Sequence, residues 1–267
     1  MVAVDDGSTD ATPAVLAGFG DRIRVVRKPN GGLSSARNAG IDATTTGLLG
    51  FLDADDLLPR EFAASMLAAA AARPDVEVFH CGFRAFDRSG ALLYYQDEPL
   101  PLDDDPFHRL VWHGSPHITA LAVRRTAVDR AGRFDESLKL QEDWDYWLRL
   151  AAAGCRFAAV PATSTIVRRR GDSMSAAAGE RLGLTGLAVL ERHLARHGRC
   201  PACRDLVDPA LEIWRRSTVN SCSRAWAQRL HLRGAAGAWI GRLLAVVVRP
   251  RLLPGLLAET RARFARG

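Results

Sequence analysis

GLLGFLDADDLLP, residues 47–59, is an apolar run of strand character that ends in three carboxylates within four residues, Asp53, Asp55 and Asp56. Like charges this close repel one another and resist removal from water. A chain that keeps them at a strand end either leaves them in solvent at a loop or uses them to hold a cation. Ligands of open α/β sheets bind at the carboxyl ends of strands. The reading of this stretch therefore depends on whether its surroundings are α/β.

The residues before and after it alternate in that way. MVAV reads as a short strand that runs into DDGSTD, a second acidic strand end. TPAVLAGFG reads as a helix, with Thr12 as cap and Pro13 in the first turn. RIRVVRK alternates as a strand does. GGLSSARNAGIDA starts on glycines and turns helical from Ser34 or Ser35. PREFAASMLAAAAARP is an Ala-rich helix between Pro59 and Pro74. Strand–helix alternation predicts an α/β domain with a largely parallel sheet.

The middle of the chain is richer in strands. VEVFHCGFRAFD and ALLYYQDE flank RSG as a hairpin. ITALAVRR, RFAAVP and TSTIVRRR add three more strands. From Glu142 a helix is expected, with Trp144, Trp147, Leu148 and Ala151 on one face and Gly154 at its end. Its first turn holds Glu142, Asp143 and Asp145, where carboxylates suit the helix dipole. Beyond GDSMS the pattern is helical, which divides the chain into an α/β domain, 1–175, and a helical extension, 176–267.

Charge follows the same division. Residues 1–170 hold 20 Lys/Arg and 23 Asp/Glu, residues 171–267 hold 16 and 7, and the whole chain is +6. A basic tail meets anionic lipid, nucleic acid or an acidic partner, or is a solvated helical surface. No run of about 18 uncharged apolar residues is present. The opening residues have no basic, apolar leader pattern. Five cysteines, an odd number, fit free thiols in a reducing compartment. These features together predict a cytoplasmic location.

Four motifs in order, VDDGSTD (4–10), NGGLSSARNAG (30–40), GFLDADD (50–56) and FDESLKLQEDWDYWLRL (134–150), resemble the family 2 glycosyltransferases over residues 2–175. The resemblance implies a GT-A-type, Rossmann-like fold: a mixed, mostly parallel sheet flanked by helices. It implies an inverting, metal-dependent transfer of a sugar from a nucleotide-sugar donor, a UDP-sugar by expectation, to an acceptor hydroxyl. Sugar or lipid-linked acceptors of cell-envelope polysaccharide synthesis fit the family, and nucleic acid is not among the partners it implies. The basic tail fits a peripheral contact at the inner face of a membrane.

The resemblance also distributes roles. Asp55 becomes the ligand of Mn²⁺ or Mg²⁺, with Asp53 facing the ribose or assisting the metal, and oxygen donors suit both ions. Asp56 is expected behind them or exposed. Asp6, and next to it Asp5, would accept from the nucleotide base. Arg37 would lie near the base or the diphosphate, as an Arg fork suits phosphate. Asp143, in the Glu142–Asp143 pair, would take the proton of the acceptor hydroxyl. Trp144 is placed in either the acceptor pocket or the core.

Two departures are visible. Members of that family normally carry a strand and helix ahead of DDGS, so the resemblance leaves two readings, a misassigned start or a front-truncated fragment, and in the second the loss would expose a sheet edge and weaken donor binding. Many also have His where this chain has Arg170, which cannot ligate a metal but can pair with phosphate alongside Arg168 and Arg169. The competing readings are a non-catalytic nucleotide-binding or scaffold remnant and, more remotely, an Asp-X-Asp phosphatase of the haloacid-dehalogenase type. The latter leaves the Glu142–Asp143 helix unexplained. His193, His197, Cys200 and Cys203 have spacing open to a tetrahedral zinc site or to plain thiols. His113 and His117 fall in the acceptor region, where lone histidines are commonly structural.

Overall fold

The structure, a computed structural model, describes residues 1–169, 178, 180–197, 200, 207–229, 234–248, 253–254 and 256–257. The chain forms two units, Met1–Arg169 and Arg170–Gly267.

The first unit opens with β1 (Val2–Asp5), α1 (Thr12–Ala17) and β2 (Arg24–Arg27). β1 and β2 pair in parallel, Val2 opposite Arg24 and Asp5 opposite Arg27. Thr12 does not cap α1. Ala11 occupies that position, and the Thr12 N–H donates to Asp10 Oδ1 at 2.9 Å. α2 (Leu33–Asp42) begins one residue before Ser34, because Gly32 at φ 90° turns the chain into the helix. A side chain at that φ would be strained.

β3 (Leu48–Gly50) leads into the acidic turn, and α3 (Phe62–Ala72) follows it. α3 is apolar around much of its circumference. Its Phe62, Met66 and Ala70 bury against Phe79, Cys81, Ala122 and Val160 of the sheet. β4 (Val78–Phe86), β5 (Leu92–Gln96), β6 (Leu121–Arg124) and β7 (Phe157–Arg168) complete a five-stranded sheet with β3. β4 is its centre: antiparallel to β5 and β6, parallel to β7. β3 is antiparallel to β6.

The sheets are mixed, as expected, but the larger one has more antiparallel pairing than strand–helix alternation alone implies. The reason is that β4 has an antiparallel neighbour on each side: β5 through the hairpin, and β6, which in turn runs antiparallel to β3. RFAAVP and TSTIVRRR form one strand rather than two. β7 runs through Pro161, with the β4 register stepping from His80↔Ala159 to Gly82↔Ser164. The irregularity leaves Pro161 outside the ladder, where its missing N–H costs nothing.

Two helices have no counterpart in the sequence reading: α4 (Pro106–His113), whose Asp105 cap accepts from the His108 N–H, and α5 (Arg125–Ala131). α6 (Glu142–Ala152) has its predicted start and buries Trp144, Trp147, Leu148 and Leu150. Trp144 is 1% exposed and donates its indole N–H to Leu110 O of α4 at 3.0 Å. It is a core residue and does not line an acceptor pocket.

The second unit contains α7 (Glu180–His197), α8 (Asp208–Arg229) and α9 (Gly234–Val248). Leu184, Leu187, Val219, Cys222 and Ala245 form its core. His193 is buried on α7 and His197 is exposed at its end, while Cys203 lies outside the described residues. Among the described residues no helix is long and apolar enough to cross a membrane.

Candidate functional site

The site is built where β1, β3 and the head of α6 deliver carboxylates, and one cation ties two of those groups together. Arg37 projects from α2. Its Nη2 donates to Asp53 at 2.9 and 3.2 Å, and its Nη1 donates to Glu142 Oε1 at 2.8 Å. Arg37 and Glu142 are both largely buried, while Asp53 is partly open, with 23% of its side chain exposed. Asp143, the next residue, is half-buried and accepts the Trp144 N–H at 2.7 Å, which orients its carboxylate at the helix start. The acidic turn and the Glu–Asp pair, remote in sequence, thus share one guanidinium.

The electrostatics follow from this crowding. Burial works against the Arg37 charge, but Asp53 and Glu142 outweigh it and hold the guanidinium protonated above its ordinary value. Burial, then the Asp143 charge, pushes the Glu142 carboxyl upward, and Arg37 opposes them. The residue ahead of this pair, Gln141, has φ 61°, and among the described residues no other non-glycine has positive φ. Such strain persists only where surrounding contacts enforce it. Here Asn38, one residue after Arg37, donates to Phe134 O at 3.0 Å and to Glu136 at 2.9 Å and accepts the Phe134 N–H at 2.8 Å. α2 therefore clasps the loop that leads into α6.

At β1, Asp5 and Asp6 organise a second loop. Asp6 accepts from Lys28 Nζ at 2.6 Å and from the Gly31 and Gly32 N–H groups at 3.0 and 2.7 Å. Burial alone would raise its carboxyl, but the Lys28 bond and the two backbone donors hold it below the usual carboxylate value. Asp5 is buried, accepts the Ser8 N–H at 2.8 Å and lies 3.4 Å from Arg27, and the Ser8 bonds lead in lowering its carboxyl. A Cβ at Gly31 would fall 2.6 Å from Ser35 Oγ, 2.8 Å from Ser35 Cβ and 2.9 Å from Lys28 Nζ, so a larger residue there would have to displace the side chains beside Asp6.

Of the two positions expected for Asp56, behind the other carboxylates or exposed, the structure shows the buried one. Asp56 accepts from Thr119 Oγ1 at 2.8 Å and from the Arg168 N–H at 3.1 Å, with His117 Nδ1 at 3.5 Å. Burial raises its carboxyl, and the nearby His117 and Thr119 offset part of that. Asp53, Asp56 and His117 each offer a donor atom within 4.8 Å of the others, an oxygen–oxygen–nitrogen set able to take a divalent cation. Asp55 stands outside this triplet, half-buried, and its carbonyl accepts from the Arg168 guanidinium. Arg169 donates to Tyr94 Oη at 2.8 Å, and Arg170 lies outside the described residues.

Sequence spacing did not identify Lys28 or Asn38, and it did not bring His117 together with Asp56. The signal for Asn38 was its place beside Arg37. His117 carried no local signal, because its partner is in a turn some sixty residues earlier.

The sequence model described as glycosyl transferase family 2 matches residues 1–131. An uncharacterized glycosyltransferase of Rickettsia prowazekii is 28% identical over 157 residues, 56% of this chain and 48% of the relative. The succinoglycan biosynthesis protein ExoO of Rhizobium meliloti is 28% identical over 280 residues, 94% of this chain and 80% of that one. The chain spans about half the length of the first curated relatives it matches. Among solved structures, S. aureus TarS 1-349 in complex with UDP-GlcNAc aligns at TM-score 0.61 and 17% identity, covering 99% of this chain and 82% of that one. The mannosyltransferase PcManGT of Pyrobaculum calidifontis, in complex with GDP-Man and Mn²⁺, aligns at TM-score 0.60 and 18% identity, covering 100% and 78%.

Proposed function

The chain belongs to glycosyl transferase family 2 and has the GT-A fold, and from that premise we propose that it transfers a sugar from a nucleotide-sugar donor to an acceptor hydroxyl, in polysaccharide or glycolipid synthesis. The observation that carries this reading is the single guanidinium of Arg37 between Asp53 and Glu142, which brings the acidic turn next to the Glu–Asp helix head.

The roles follow from position. Asp6 and Asp5 shape the loop against which the nucleotide base of a UDP-sugar lies. Asp53 and Asp55 hold a divalent cation, Mn²⁺ or Mg²⁺, with Asp56 and His117 as the alternative donors beside Asp53. When bound, that cation neutralises charge on the departing diphosphate. Asp143, fixed by its own helix N-terminus, takes the acceptor proton at a carboxylate oxygen. One base suffices for an inverting displacement, and alignment of donor and acceptor supplies much of the remaining rate. The Arg-rich second unit, with Trp239, Ile240 and Leu243 exposed on α9, supports a peripheral contact with an anionic membrane surface that presents a lipid-linked acceptor.

The test is a panel of nucleotide sugars read by thermal shift with Mn²⁺ and again with a chelator. A bound donor raises the melting temperature in step with concentration and affinity. One UDP-sugar is expected to give a shift that the chelator abolishes. No shift with any nucleotide would overturn the reading, and a shift without turnover would favour a non-catalytic binding role. Asp55→Ala and Asp56→Ala separate the two cation sets, since only a ligand's loss removes the Mn²⁺-dependent part.

A further inference from the structure

We propose that Arg37 is a positioning residue rather than a donor contact: it braces Asp53 and Glu142 together, and Glu142 serves as its counter-charge, leaving Asp143 as the carboxylate free to meet the acceptor. This rests on the function proposed above for Asp53 and Asp143.

The geometry carries the inference. Both terminal nitrogens of Arg37 are committed, one to each motif, and its side chain is 8% exposed. Its Nε is buried with no hydrogen-bond partner among the described residues, so that donor does not face solvent either. The guanidinium also lies 5.5 Å from the Phe134 ring, which stacks on Tyr146 at 4.0 Å and whose backbone is pinned by Asn38. A group held on three sides inside the protein is poorly placed to grip a diphosphate that enters from solvent.

The partner residue fits the same role. Glu142 is 7% exposed and bonds Arg37 through Oε1. Asp143 is turned to its own helix backbone and keeps more of its surface open. A buried charge pair is costly to break by removing one member, because the other is then stranded. A planar fork can serve two carboxylates along different directions, whereas a lysine ammonium acts as a point charge. Arg37 therefore sets the separation between the donor side and the acceptor side, which no single helix or strand does.

Thermal melts of the full chain test this without any substrate. Arg37→Met is expected to lower the midpoint, and adding Glu142→Gln to it should recover part of the loss, since the stranded charge is gone. Independent losses that simply add would overturn the proposal. If Arg37→Met does not fold, Arg37→Lys keeps a charge and supplies the kinetic readout. With the donor found above, Arg37→Lys should lose about 10²-fold in kcat through misalignment while the donor KM is unchanged. A raised donor KM at unchanged kcat would instead make Arg37 a donor contact and refute the brace. The melts fail or succeed whatever the donor panel shows, so the two readings fall separately.

Discussion

Replacing Asn38 with alanine removes three hydrogen bonds in one step and leaves the Phe134 N–H and C=O without the partners that hold them at 2.8 and 3.0 Å. Phe134 is 2% exposed, so water does not readily replace those partners. Each buried backbone group left unpaired costs roughly 1–3 kcal/mol, which puts Asn38→Ala at about 3 kcal/mol after some relaxation. For a unit of this size that loss lowers the melting temperature by roughly 6–12 °C. Circular dichroism melts and urea titrations measure it, with a lower midpoint at an unchanged slope. Asn38→Asp is the control. Its carboxylate still accepts from the Phe134 N–H, but its other oxygen faces the Phe134 carbonyl and Glu136, so it should be no better than alanine. An Asn38→Ala shift below about 2 °C, or an aspartate variant as stable as the parent, would refute the idea that α2 clasps the α6 loop.

Other expectations follow from the same contacts. A Cβ at Gly82 would meet Gln96 O at 2.3 Å and Asp97 O at 2.5 Å, both backbone; Gly82→Ala should cost about 1–3 kcal/mol and loosen amide protection in β5 by hydrogen exchange. Asp6 is held below its ordinary 3.8 in the folded chain, so its ionised form contributes stability that is complete above that value and fades as pH falls through the lower folded one. The stability gap between the parent and Asp6→Asn should therefore be constant at neutral pH and close in acid. Trp144→Phe loses the indole bond to Leu110 O at 3.0 Å and should lower stability by about 1–2 kcal/mol in a denaturant titration without changing the donor KM.

Local signals carried much of the first unit. Apolar runs followed by acidic turns located β1 and β3, and the 3.6-residue spacing of Trp144, Trp147 and Leu148 located α6 with its carboxylates at the N-terminus. Short elements were harder to read. α5 follows β6 with no spacer, and at seven residues it offers too few positions for a period to emerge. α4, at eight residues, is equally short; the cap and proline that start it, Asp105 and Pro106, were not read as a helix start. Pro161 read as a break because a ladder position cannot use it, whereas a change of register let the strand continue.

The site divided along similar lines. Asp6, Asp53 and Asp143 sit in motifs whose spacing is visible along the chain. Which groups they touch is not visible, because contacts such as Arg37 with Glu142, 105 residues apart, and Thr119 with Asp56, 63 apart, are set by sheet order. That order depends on β6 lying between β3 and β4, which no local window encodes.

The most direct test of the central claim separates binding from chemistry at Asp143. Asp143→Asn should bind the Mn²⁺–nucleotide as tightly as the parent by calorimetry while its single-turnover sugar transfer falls roughly 10²–10⁴-fold. Weakened nucleotide binding, or transfer at the parent rate, would contradict the division of labour between the Asp53 side and the Asp143 side.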